Sequence, residues 1–288
     1  MSITSNCMIV NLSLGMWSGY RLDKAASREV TTNAGAAADA ARVNKHLVDK
    51  KHLQPIVTAA SQVRQHFYEK TLPWKDNGDR VLTRMLYVPF IEEHGKLVRE
   101  FRNAVNHFIG TDYPQAISQA EFRMGTLFNS DDYPSADDLR HRFYVALDID
   151  AVSEANDFRV ALDSDQVDEI RENMETAMKQ RLGNAMREVW TRLADTLGHF
   201  AEKMGDEKAI FRDSTVANLL ELIDILPGLN VIDDENLTAI HANLHHIFTG
   251  YEPKELRKFP EIRKNAASEA QRILDEMQGF MSAFGQAA

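Results

Sequence analysis

The chain opens on a run in which apolar and polar side chains alternate. In "MIVNLSLGMW", Met8, Val10, Leu12, Leu14 and Met16 fall on one side of a two-residue period, and Asn11, Ser13 and Gly15 on the other. That period predicts a strand over 8–17 with one buried face. "FYVALDID" alternates in the same way through Phe143, Val145, Leu147 and Ile149, and "FRVALD" through Phe158, Val160 and Leu162. The short segment between these two runs allows a hairpin. A two-stranded hairpin alone is marginal in water. The opening strand is therefore expected to complete a small antiparallel sheet of residues 8–17, 143–150 and 157–163.

The rest of the pattern has the period of a helix. The longest seam runs Val167, Ile170, Met174, Met178, Leu182, Ala185, Val189, Leu193, Leu197, Phe200, Met204, behind a capping Ser164. Its mean step, about 3.7 residues, exceeds the heptad value, so a nearly straight spine is expected rather than a long left-handed coiled coil. Roughly 40 residues at about 1.5 Å each make a rod of about 60 Å. Alanine and methionine along this seam suit self-association into an oligomer.

Shorter helices are expected from Pro55 to about Lys70, over roughly 83–109, from Tyr113 or Pro114 to Phe128, from Asp213 or Ser214 to Leu226 with a stop at Pro227-Gly228, over about 235–248 and over about 261–284. Pro73 and Asn77-Gly78 in "TLPWKDNGDRVL" mark a turn, and Ser135 is a plausible N-cap. "AGAAADAA" at 34–41 reads as a helix or a flexible linker. The expected class is mainly α with a small antiparallel β-sheet (α+β), its long helical hairpins arranged around the spine helix. Two regions are expected, 1–163 with the sheet and 164–288 all helical, packed as one folding unit.

Composition narrows the class. With 44% hydrophobic and 26% charged residues in 288, the chain has the content of a folded globular protein. Its single cysteine, Cys7, rules out an intramolecular disulfide and fits a reducing compartment. The apolar opening run is too short to span a bilayer and follows no basic leader, so a cytoplasmic location is expected. Net charge is −10, unevenly spread: residues 1–110 hold 15 Lys+Arg against 10 Asp+Glu, and residues 111–288 hold 18 against 33.

Candidate chemistry lies in three groups. His241, His245 and His246 in "HANLHH" put two imidazoles on one helical face, but no glutamate stands beside the first, as a hydrolase motif requires. Asp131/Asp132, Asp137/Asp138 and Asp148/Asp150 are carboxylate pairs of the kind two-metal sites use, at positions where helix starts favour acids anyway. No phosphate-binding glycine loop and no G-x-S-x-G occurs. No catalytic residue, metal site or cofactor is assigned.

The third group mixes cations and rings in the first 110 residues: Arg21, Lys24, Arg42, Lys45, Lys50, Lys51, Arg64, Tyr68, Trp74, Lys75, Arg80 and Arg84. A cationic groove with aromatic platforms is how single-stranded nucleic acid is held, each stacked base giving roughly 1–3 kcal/mol. Trp74, in a loop, is the best platform. The bland alternative is a tryptophan in the core and cations that solvate helix faces.

The runs "IVNLSLGMWSGYRLDKAASREV", "YEKTLPWKDNGDRVL", "LFNSDDYPSADDLRHRF" and "DFRVAL" resemble a family of phages and bacterial mobile elements that is classed as a domain of unknown function. The likeness covers most of residues 8–163. It implies a phage or prophage origin, hence the host cytoplasm, and a role in DNA metabolism or beside a larger machine. It transfers no catalytic residues. Two functions are therefore expected: a non-enzymatic phage accessory protein that binds single-stranded DNA in replication or recombination, or an oligomeric structural or adaptor protein that engages another protein such as an ATPase or a host defence factor.

Overall fold

The computed structural model describes residues 3–152, 164–206 and 208–285. In chain order its elements are α1 (Ile3–Asn6), β1 (Cys7–Gly15), β2 (Tyr20–Asp23), α2 (Lys24–Asn33), β3 (Val43–His46), α3 (Lys50–Lys70), β4 (Leu72–Pro73), β5 (Arg80–Thr83), α4 (Arg84–His107), α5 (Tyr113–Met124), α6 (Ala136–Arg142), β6 (Tyr144–Ala151), α7 (Ser164–Gly205), α8 (Asp213–Leu229), α9 (Glu235–Phe248), α10 (Pro253–Lys258) and α11 (Pro260–Gly285). The protein is mainly α with a small antiparallel sheet, and α7 is the expected long helix. No helix among the described residues is long and apolar enough to cross a membrane.

The main sheet has the order β4-β5-β1-β6. The opening strand thus lies beside the 143–150 strand, as expected. Its other neighbour is β5, antiparallel, with Cys7 opposite Thr83 and Val10 opposite Arg80. The expected strand 157–163 lies outside the described residues. From sequence, β5 fell between a turn and a helix, because "RVLT" is too short to display a period. As an inner strand β1 is covered on both faces at its start: Cys7, Ile9 and Val10 are all buried, which corrects the one-faced reading. A second antiparallel ribbon, β2 with β3, pairs Tyr20 with His46 and Asp23 with Val43 around α2. Asp23 caps α2 by accepting the Ala26 N–H at 2.9 Å. Residues 34–41 form turns and irregular chain, not a helix.

The contacts divide the chain into two compact units. The spine unit comprises Met1–Asn11, Tyr68–Phe90 and Asp148–Ala288, and the aromatic unit comprises Leu12–Phe67 and Ile91–Leu147. This cuts the chain differently from 1–163 and 164–288. Pairing of β1 with β5, and packing of β4 on α7, bring the N-terminal strand and the β4–β5 hairpin to the C-terminal helices.

In the spine unit α11 packs along α7, with α8 and α9 beside them. The seam residues Ala185, Val189, Leu193, Leu197, Phe200 and Met204 are buried, together with Met186 and Trp190. Phe200 meets Phe248 edge-on at 5.4 Å. The α7 C-terminus is closed by Arg263, which donates to the carbonyls of Lys203, Met204, Asp206 and Ala209 at 2.5–3.2 Å. Helix α8 does not stop at Pro227-Gly228 but continues to Leu229. A proline lacks the N–H that the carbonyl four residues earlier needs. Here that carbonyl, on Ile223, acts on the His241 imidazole, raising its proton affinity against the effect of burial. Gly228 is required by close approach: a Cβ there would sit 2.5 Å from Leu86 Cγ.

The aromatic unit is built on rings. Trp17 meets Tyr113 edge-on at 5.7 Å and Phe108 at 6.1 Å, and Phe108 meets Phe143 at 6.1 Å. Ile56, Ala60, Phe101 and Leu139 complete this core. Burial pushes the Tyr113 hydroxyl up to about 12, and it donates to the Pro134 carbonyl at 2.7 Å.

Candidate docking surface

The twelve cationic and aromatic residues read as a nucleic-acid surface are dispersed by the fold. Arg21, Lys24, Arg42, Lys45, Lys50, Lys51 and Arg64 belong to the aromatic unit, and Tyr68, Trp74, Lys75, Arg80 and Arg84 to the spine unit. Trp74 is only 5% exposed, and the Arg181 guanidinium lies 5.9 Å from its ring. It has no free face for a base, which corrects its reading as a platform. The reason lies in the β4–β5 hairpin. Trp74 and Lys75 both donate backbone N–H to the Asp79 carbonyl, and Asn11 donates to the Asp79 carboxylate at 3.1 Å, so the hairpin folds back and carries its tryptophan inward. Tyr68 is exposed, but Arg80 covers its ring at 4.8 Å. Arg80 donates to Thr71 Oγ1 and to the Thr71 carbonyl, which also accepts from Arg192. Burial, then the Arg192 charge, pulls the Arg80 guanidinium down to about 10.

Lys45 is the second correction. It is 8% exposed, and its ammonium pairs with Asp132 and, at 3.3 Å, with Asp23, while donating to the Leu127 carbonyl at 3.2 Å. Arg21 reaches the same Asp132 at 3.4 Å. The hydrogen bond to Asp132 holds the Lys45 ammonium above the usual lysine value, and the Ala26 N–H holds the Asp23 carboxyl below its own. A cation placed like this ties β3 to the 127–132 loop and is not offered to a ligand. Lys24, Arg42, Lys50 and Arg84 are exposed; Lys51 is exposed and pairs with Asp49, and Lys75 with Asp79, each at 3.3 Å. Arg64 is half-buried.

Of the aspartate pairs, Asp132 is held by Lys45, and Asp137 and Asp138 have partners on or beside their own helix. Asp138 accepts from the Ser135 hydroxyl while its N–H donates back to Ser135 Oγ, and Asp137 pairs with Arg140. Burial, then the neighbouring His245, pulls the His241 imidazole down from its ordinary value. Among the described residues no group of three or more His, Cys, Asp or Glu is placed to hold a metal ion.

Two features of the aromatic unit escaped the reading of the sequence. The first is a cavity of about 400 Å³ walled by Trp17, Tyr20, Leu53, Val57 and Phe143, with His46 and Lys50 at its lining. Its floor depends on the Ser18-Gly19 turn. Gly19 has φ 71°, accepts the Leu47 N–H at 2.9 Å and lies close under Leu53. The second is Phe122 on α5, 99% exposed. The signal for it was present: Tyr113, Ala116 and Ala120 form the buried stripe of α5, and Phe122 falls on the opposite face. In the spine unit Ile210 is 95% exposed.

Comparison with protein-family models, with curated proteins and with solved structures finds no match to this chain.

Proposed function

We propose that this protein is a non-enzymatic adaptor that works by docking to other protein chains, in the setting of a phage or mobile element that its N-terminal motifs suggest. The observation that carries this reading is the nearly complete exposure of Phe122 and Ile210 in a fold that buries its candidate base-stacking tryptophan. A phenyl ring left wholly in water on a helix face contributes little to folding, and aromatic residues are enriched where proteins meet. The direct test is a photo-cross-linker at Phe122 or Ile210 in cells that express the natural neighbours of the chain, with the exposed polar Asn33 as a control position. Stoichiometric adducts with one identified protein, resistant to nuclease and absent from the control, are the expected result. Equal labelling at all three positions removes the proposal.

Single-stranded DNA binding stays as a second reading because Lys24, Arg42 and Lys50 are exposed in the unit that carries the half-exposed Tyr20. It predicts oligonucleotide affinity that falls steeply with salt and is reduced by Lys50→Ala/Lys51→Ala, while Trp74→Ala acts only through stability. Absence of a gel shift at low salt eliminates it.

A further inference from the structure

We infer that two copies of the chain associate by exchanging Phe122, the ring of each copy entering the Trp17–Phe143 cavity of the other. The inference rests on the docking reading above and names one partner for it: a second copy. The ring is 99% exposed, so it does not occupy its own cavity. The cavity, at about 400 Å³ and walled mainly by apolar and aromatic groups, has room for one phenyl side chain. Wall and ring are chemically matched, since Trp17, Tyr20 and Phe143 offer edges and faces to an incoming aromatic group.

Charge is matched as well. Glu121 precedes Phe122 and is exposed, and Lys50 lines the cavity and is exposed. Neither has an ion-pair partner among the described residues. A copy that seats its ring brings its glutamate to the other copy's lysine. Hook and cavity are also near each other in one chain: Arg123, next to Phe122, donates to the carbonyl of His46, and His46 lines the cavity. A hook beside its own receptor site suits a closed two-fold exchange, in which the same contact is made twice, better than an open filament. The contact area is that of two rings and their rims, so the dimer is expected to be weak, in the micromolar range.

The test is sedimentation equilibrium of the full chain from low to high micromolar concentration, with far-ultraviolet circular dichroism to verify folding of each variant. The wild-type chain is expected to pass from monomer to dimer. Phe122→Asp is expected to raise the dimer Kd at least about 30-fold, as removal of a central anchor does. Glu121→Lys and Lys50→Glu are each expected to weaken the dimer several-fold, and the two together to restore it. A chain that stays monomeric throughout, a Phe122→Asp dimer of undiminished strength, or a charge-reversed pair no better than its single variants each overturns the exchange. A monomeric chain that still forms specific adducts through Phe122 with another protein overturns this inference and leaves the adaptor reading standing.

Discussion

The two units are held together by different physics. The spine unit carries 19 Lys+Arg against 30 Asp+Glu, and its interior is a seam of aliphatic, methionine and aromatic side chains between long helices. The aromatic unit is nearly neutral, with 14 against 13, and joins its short elements through rings and a buried ion pair. The positive balance of residues 1–110 therefore does not become a positive unit, because the fold adds acidic segments to it and sends the β4–β5 hairpin elsewhere. The comparison shows that charge along a chain and charge over a surface are separate quantities.

The largest expected effect probes the seam. Phe200→Ala removes a ring that is 1% exposed and is expected to cost about 3–5 kcal/mol, read as a lower urea midpoint with little change in slope. A loss below about 1 kcal/mol argues that the α7 interior is not close-packed.

Next is the buried ion pair. Lys45→Met leaves Asp23 without its cation and Asp132 with only the exposed Arg21, and is expected to cost about 3 kcal/mol, and Lys45→Met with Asp132→Leu to cost less than the single change. The pH dependence has a definite sign. The raised Lys45 value makes its contribution complete at neutral pH and lost only as pH climbs beyond about 10.4 through the folded value. The lowered Asp23 value makes its contribution present above about 3.9 and lost as pH falls through the folded value. Lys45→Met should flatten the alkaline limb of stability against pH; an unchanged limb refutes this assignment.

A smaller effect belongs to the proline in α8. His241→Ala is expected to cost about 1 kcal/mol, since it takes the imidazole away from the Ile223 carbonyl that Pro227 cannot serve. In a Pro227→Ala background the helix supplies its own N–H, so the same change should cost clearly less. Equal costs in the two backgrounds break the link. Smallest of all are the exposed pairs: Lys96→Ala, opposite Glu93, should leave the thermal melt unchanged within error, and a clear drop in melting temperature would contradict the surface character of that pair.

Helix α7 was legible because eleven apolar positions repeat a period with no competing signal, and β1 and β6 were legible because eight-residue alternation is long enough to recognise. The ribbon of β2 and β3 was not, since "YRLD" and "VNKH" are each four residues of mixed polarity. Of the candidate site, the cations and rings were visible as residue types, but Trp74 and Lys45 turned inward through partners far along the chain. Asn11 holds the Trp74 hairpin from 68 residues before Asp79, and Asp132 follows Lys45 by 87.

What the amino-acid order determined by itself is therefore what local repetition encodes: the class of the fold, the long spine helix, the opening strand and its neighbour. Tertiary structure alone decided which strand takes the other side of β1, where the two units divide, which cations are neutralised and which aromatic ring is left in water. The physical reason is range. Periodicity and capping act within a turn or two of chain, whereas burial and ion pairing depend on groups that only folding brings together.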